Sequence, residues 1–82
     1  MVENWRWKLK LKLKNGEVEI MPFPYSSVGS AGIYQAFSHF VFNNRRAFRL
    51  DIDEVILLNH FGTPRAKASW NEENDGPSWQ HV

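Results

Sequence analysis

Cysteine is absent from the chain, which excludes disulfide staples and thiolate chemistry and fits a reducing compartment better than an oxidising one. The expected localisation is therefore cytoplasmic. No apolar run approaches the roughly 18 residues needed to span a bilayer. Charged residues interrupt the apolar ones from Glu3 onward, so neither a signal-peptide core nor a membrane partner is expected. An excess of either charge is also missing, since Lys and Arg number 10 against 9 Asp and Glu. That balance argues against a uniformly basic nucleic-acid coat and against an acidic mimic of DNA.

Catalytic and metal-binding patterns are missing too. His39, His60 and His81 stand far apart, with no His-Glu-x-x-His spacing and no thiolate to complete a tetrahedral site, so no metal or other cofactor is expected. Asp51, Asp53 and Glu54 are close in sequence, but no nucleophile accompanies them. They read as turn chemistry rather than as an acid/base pair. The expectation is a protein that is not an enzyme.

What is present is enough apolar matter to fold: 43% hydrophobic residues, 15% of all residues being aromatic, in a chain of 82. A chain of this length buries only about 60% of its unfolded surface. It sits near the size at which small domains rely on disulfides, metals or oligomerisation. With the first two excluded, self-association is expected, a homodimer before any larger homo-oligomer.

The strongest local signal runs from Trp5 to Lys14. Trp5, Trp7, Leu9, Leu11 and Leu13 alternate with Arg6, Lys8, Lys10, Lys12 and Lys14, the period of a half-buried strand. Asn15-Gly16 follows, and alternation resumes through Glu17, Val18, Glu19 and Ile20, predicting a hairpin with a two-residue type I′ turn. That loop would set Lys14 opposite Glu17, Leu13 opposite Val18, Lys12 opposite Glu19 and Leu11 opposite Ile20. Pro22 ends the return strand. The first strand should lie inside a sheet, with residues 17–21 on one side and residues 47–52 or another chain on the other.

Residues 22–32 are rich in proline, serine and glycine and read as a loop. Ile33, Phe37, Phe40 and Val41 then fall at helical spacing, joined by Tyr34 and Ala36, with Ser30 as N-cap and Asn43-Asn44 as the end. From Ala47 to Phe61 the favoured reading is two strands, Phe48, Leu50 and Ile52 in one and Val55 to Leu58 in the next, with a turn at Asp53-Glu54. The rival is a helix capped by Asp53 and closed by Gly62. The resulting expectation is an α+β fold, a small ββαββ domain with an N-terminal antiparallel hairpin and one helix packed on the sheet. Residues 1–62 form the compact domain, and residues 63–82 a polar C-terminal tail.

Candidate contact residues follow from surplus aromatics. Trp5 and Trp7 extend past their hairpin partner, Trp70 and Trp79 stand in the polar tail, and Phe42 shares a helix face with Gln35, Ser38 and His39. Large aromatics on polar faces are typical interface anchors; if the helix ends early, Phe42 turns inward instead. The leading expectation is a non-enzymatic protein-interaction domain, of adaptor or inhibitor type, that self-associates. One alternative is nucleic-acid binding through Arg6, Lys8, Lys10, Arg45 and Arg46 on a basic strand face. Another is capture of a small phosphorylated ligand by Gly29, Ser30 and Gly32 ahead of the helix, although that loop lacks a Walker lysine and the dinucleotide fingerprint.

Overall fold

The computed structural model describes residues 7–23 and 30–82. They form an α+β domain in the order β1 (Lys8–Leu13), β2 (Val18–Pro22), α1 (Ser30–Asn43), α2 (Arg45–Leu50), β3 (Ile52–Leu58), β4 (Pro64–Asn71) and β5 (Gly76–His81). The sheet runs β2-β1-β3-β4-β5, and every neighbouring pair is antiparallel. α2 packs against β3, β4 and β5, while α1 packs against β5 and α2. The expected ββαββ layout is met only in part: a second helix replaces the strand expected over residues 47–52, and two strands, β4 and β5, are added in residues 63–82.

β1 is interior, bonded to β2 and β3. Its leucines are the reason. Leu9 and Leu11 are buried and sit beside Leu57 and Val55 of β3, while the alternating lysines take the other face. The neighbour opposite β2 is 52–58 rather than the expected 47–52, because residues 45–50 are helical. Phe48, Leu50 and Ile52 alternate in sequence, yet Phe48 is fully buried and Leu50 is 62% exposed. Arg, Ala and Leu favour helix over strand, and the helical turn of α2 buries Phe48 while leaving Leu50 outside. Asn44 marks the break between the helices. Its backbone N–H donates to the carbonyls of Phe40 and Val41, and its side-chain amide donates to Phe40 again at 2.8 Å, taking up carbonyls that a helix end leaves unpaired.

The turn expected at Asp53-Glu54 is instead a bulge inside β3. Leu13 pairs with Ile52 and Lys12 with Glu54, leaving Asp53 as the extra residue. The polar tail is likewise part of the sheet: β4 and β5 pair from Ala66 with His81 to Asn71 with Gly76. Ala66 and Ala68 are buried, and Trp70 and Trp79 pack on the core. The period of two was present in Ala66, Ala68 and Trp70, but alanine is too weakly apolar to announce a strand amid so many polar neighbours.

The first hairpin forms with its register moved by one residue. Leu13 N–H donates to the Glu17 carbonyl at 2.8 Å and Gly16 N–H to the Leu13 carbonyl at 3.0 Å, so the loop is Lys14-Asn15-Gly16. Gly16 takes φ +94°, the left-handed residue that closes a three-residue loop. The Asn15 side chain accepts from Glu17 N–H at 2.9 Å. The observed partners are Leu11 with Glu19, Lys12 with Val18 and Lys10 with Ile20. A slip of one residue turns every side chain to the other face, so Val18 and Ile20 join the lysines. The β3–β4 loop repeats the device, with Asn59 N–H donating to Thr63, Gly62 N–H donating to Asn59, and Gly62 at φ +85°.

The core lies between the helices and one sheet face. Leu9, Leu11, Val55, Leu57, Ala66 and Ala68 meet Ile33, Phe37, Val41 and Phe48, with Phe23 beside them. Small alanines leave room for rings. Trp79, directly across from Ala68, meets Phe37 edge-on at 5.8 Å between centroids, and Phe23 meets Phe37 and Phe40 edge-on, a geometry that adds about 0.5–1.5 kcal/mol beyond burial.

Candidate interaction surface

The register shift creates the most unusual surface of the described residues. Every residue of β2 is exposed, including Val18 at 52%, Ile20 at 60% and Met21 at 39%. β2 is also an outer strand. Leu13 with Glu17 and Trp7 with Phe23 share backbone bonds across the hairpin, and hydrogen-bonded pairs alternate along an antiparallel ladder. The N–H groups of Glu19 and Met21 therefore face β1, while those of Val18 and Ile20 face outward. Among the described residues nothing pairs with them. Pro22 has no N–H to offer, so the outer edge presents two donors and the carbonyls of Val18, Ile20 and Pro22.

The opposite edge differs. β5 carries Pro77, Ser78 and Gln80, and proline and polar residues are the usual guards of an unpaired edge. Trp79 is turned to the core face, stacked near Tyr34 and His81. Tyr34 in turn meets Trp7 edge-on at 6.4 Å and accepts a hydrogen bond from Arg65 Nε at 3.4 Å. Trp7, Trp70 and Trp79 are thus partly buried packing residues, not free anchors. Trp5 lies outside the described residues.

Phe42 stands out from α1, 59% exposed. The Arg45 guanidinium covers its ring at 4.5 Å and donates through Nη1 to the Phe42 carbonyl at 3.0 Å. Of the candidate anchors within the described residues, it is the one the fold leaves open to solvent.

The cations separate into two layers. Lys8, Lys10 and Lys12 alternate with the buried leucines, placing them with Lys67 on the sheet face that the helices leave uncovered. Arg45 and Arg46 begin α2 in the helix layer, and Arg6 lies outside the described residues. The basic set expected for nucleic acid is therefore not one surface. Lys12 pairs with Glu54 at 3.5 Å, not with Glu19. Lys14 donates to the Arg49 carbonyl at 2.8 Å, tying the first loop to the last turn of α2, not to Glu17.

Gly32 lies in the first turn of α1 and lines a shallow cleft with Gln35, Ala36, His39 and Asn43. Gly29 and the side chain of Ser30 lie outside the described residues. Among the described residues no three His, Asp or Glu side chains gather as metal ligands, and Asp51, Asp53 and Glu54 do not form one cluster: Asp51 ends α2, Asp53 is exposed in the bulge and Glu54 holds Lys12.

Reading the residues alone missed Val18, Ile20 and Met21. No signal distinguished the outcomes, because Asn-Gly serves a two-residue turn and also ends a three-residue loop whose last residue is left-handed. Comparison with known proteins finds no matching family model, no similar curated protein and no similar solved structure. Among the described residues no helix is long and apolar enough to cross a membrane.

Proposed function

We propose that this protein is a small non-enzymatic interaction domain, of adaptor or inhibitor type, acting in the cytoplasm as a homodimer joined through β2. The observation that carries the reading is an apolar outer strand with two outward N–H groups and exposed Val18, Ile20 and Met21. Such an edge is a template for pairing with another chain. Two copies related by a two-fold axis would pair antiparallel with Ile20 opposite Ile20. Ile20 N–H then donates to its counterpart's carbonyl, and Val18 N–H to the carbonyl of Pro22, four backbone bonds in all. The competing two-fold register sets Glu19 against Glu19, and like charges directly opposite are destabilising. In the favoured register Glu19 faces Met21.

Sedimentation equilibrium tests the reading. The expected result is a dimer mass for the native sequence and a monomer mass for Ile20→Lys, which places two lysines across the axis. A monomer at the highest soluble concentration, or a dimer untouched by Ile20→Lys, would overturn it.

A further inference from the structure

We infer that the uncovered sheet face is a docking surface for an acidic amphipathic helix of a partner protein. The face is built by alternation and does not depend on pairing at β2. Leu9, Leu11, Val55, Leu57, Ala66 and Ala68 point to the helices, so their neighbours in β1, β3 and β4 point away. Cross-strand partners share a face, and the rows read Ile20, Lys10, Ile56, Lys67 and Gln80, then Val18, Lys12, Glu54, Ser69 and Ser78. Neither helix lies over them.

Two properties choose the occupant. The first is charge: Lys8, Lys10, Lys12 and Lys67 share this face with one carboxylate, Glu54, whose contact is Lys12. Among the described residues Lys8, Lys10 and Lys67 have no acidic partner, although the whole chain is almost neutral. The second is the aliphatic content beside and between those lysines, Val18 and Ile20 exposed on the outer strand and Ile56 half-buried between Lys10 and Lys67. A nucleic acid would use the lysines but leave these side chains idle, because sequence-tolerant strand binding relies on aromatic rings for stacking. Trp7, Tyr34, Trp70 and Trp79 pack on the core side, and Phe61, 81% exposed, lies in the β3–β4 loop rather than in the rows of the face. A helix with a Leu/Ile stripe flanked by Glu uses both properties at once. From β2 to β4 the face spans four strands, about 14 Å at 4.8 Å per strand, the length of roughly ten helical residues.

The test uses a fluorescein-labelled 14-residue peptide, helical, with leucines at i, i+3, i+4 and i+7 and glutamates beside them. It is compared with a scrambled peptide of the same composition and with a 14-nucleotide oligothymidine, each titrated by fluorescence anisotropy into the full chain. The expected result is binding of the amphipathic peptide at least tenfold tighter than the scramble, weakened tenfold or more by Lys8→Gln/Lys10→Gln/Lys67→Gln and also by Ile56→Gln. Circular dichroism checks that both variants keep the fold, and Leu50→Ala, in the helix layer and 62% exposed, leaves binding unchanged. Equal binding of the scramble overturns the helix. Tighter binding of oligothymidine, lost in the triple variant but not in Ile56→Gln, makes the face a nucleic-acid site and overturns the proposal, as does no binding of any probe.

Discussion

Replacing Phe48 with alanine removes the single buried residue of α2, and its effect set beside that of Leu50→Ala separates a helix from a strand at residues 45–50. Phe48 is fully buried among Val41, Ile52 and Val55 in the core cluster. Truncating a buried phenylalanine costs about 3–5 kcal/mol, the lost transfer energy plus the cavity left behind. A domain of 82 residues is held by about 4–12 kcal/mol in total, so the variant loses between a quarter and all of its stability. Leu50, 62% exposed, contributes little, and Leu50→Ala is expected within about 0.5 kcal/mol of the native sequence. Were the segment a strand, Phe48 and Leu50 would share one face and both would cost several kcal/mol. Urea titrations followed by far-ultraviolet circular dichroism read the midpoints. Comparable losses for the two variants would refute the helical assignment.

Other consequences follow from single residues. Gly16→Ala meets no steric contact but places a side chain at φ +94°, so it should cost about 1–2 kcal/mol from backbone strain alone, seen as a lower urea midpoint. The Lys12 and Glu54 pair is exposed enough that a double-mutant cycle with glutamine should return less than about 1 kcal/mol of coupling. Phe42→Ala should change stability by no more than about 0.5 kcal/mol, whereas Trp79→Ala, which loses the ring contacts with Phe37 and Tyr34, should cost about 2–3 kcal/mol, less than truncation of a fully buried ring, and weaken the near-ultraviolet dichroism.

Much of the architecture was legible because period and burial agreed. Leu9 and Leu11 alternate with lysines and are buried; Ile33, Phe37 and Val41 follow helical spacing and are buried; Val55 to Leu58 reads as a strand and lies in β3. The failures arose where a local pattern admits two structures. Phe48, Leu50 and Ile52 alternate, but Arg45, Arg46, Ala47 and Arg49 around them support a helix, and tertiary packing chose which residue to bury. Ala66 and Ala68 fill a position under large rings where only a small side chain fits, so a core strand carried little hydrophobic signal. Asn15-Gly16 located the first turn but not its length, and that one residue decided which face of β2 is apolar. The surface on which the functional reading rests was hidden for this reason. Phe42 was legible by the same helical spacing that located the core, since its position falls between Ser38 and Gln35 on the outer face.

Amide hydrogen exchange at β2, followed across a range of protein concentrations, reports whether the outer edge pairs with a second copy. In a single chain the N–H groups of Glu19 and Met21 are bonded to β1 while those of Val18 and Ile20 face solvent. Pairing through the outer edge predicts that Val18 and Ile20 exchange fast when dilute and become protected as concentration rises, in step with the dimer mass, while Glu19 and Met21 are protected throughout. Exchange at Val18 and Ile20 that stays fast at every concentration, or a dimer that forms without slowing it, would rule out pairing through β2.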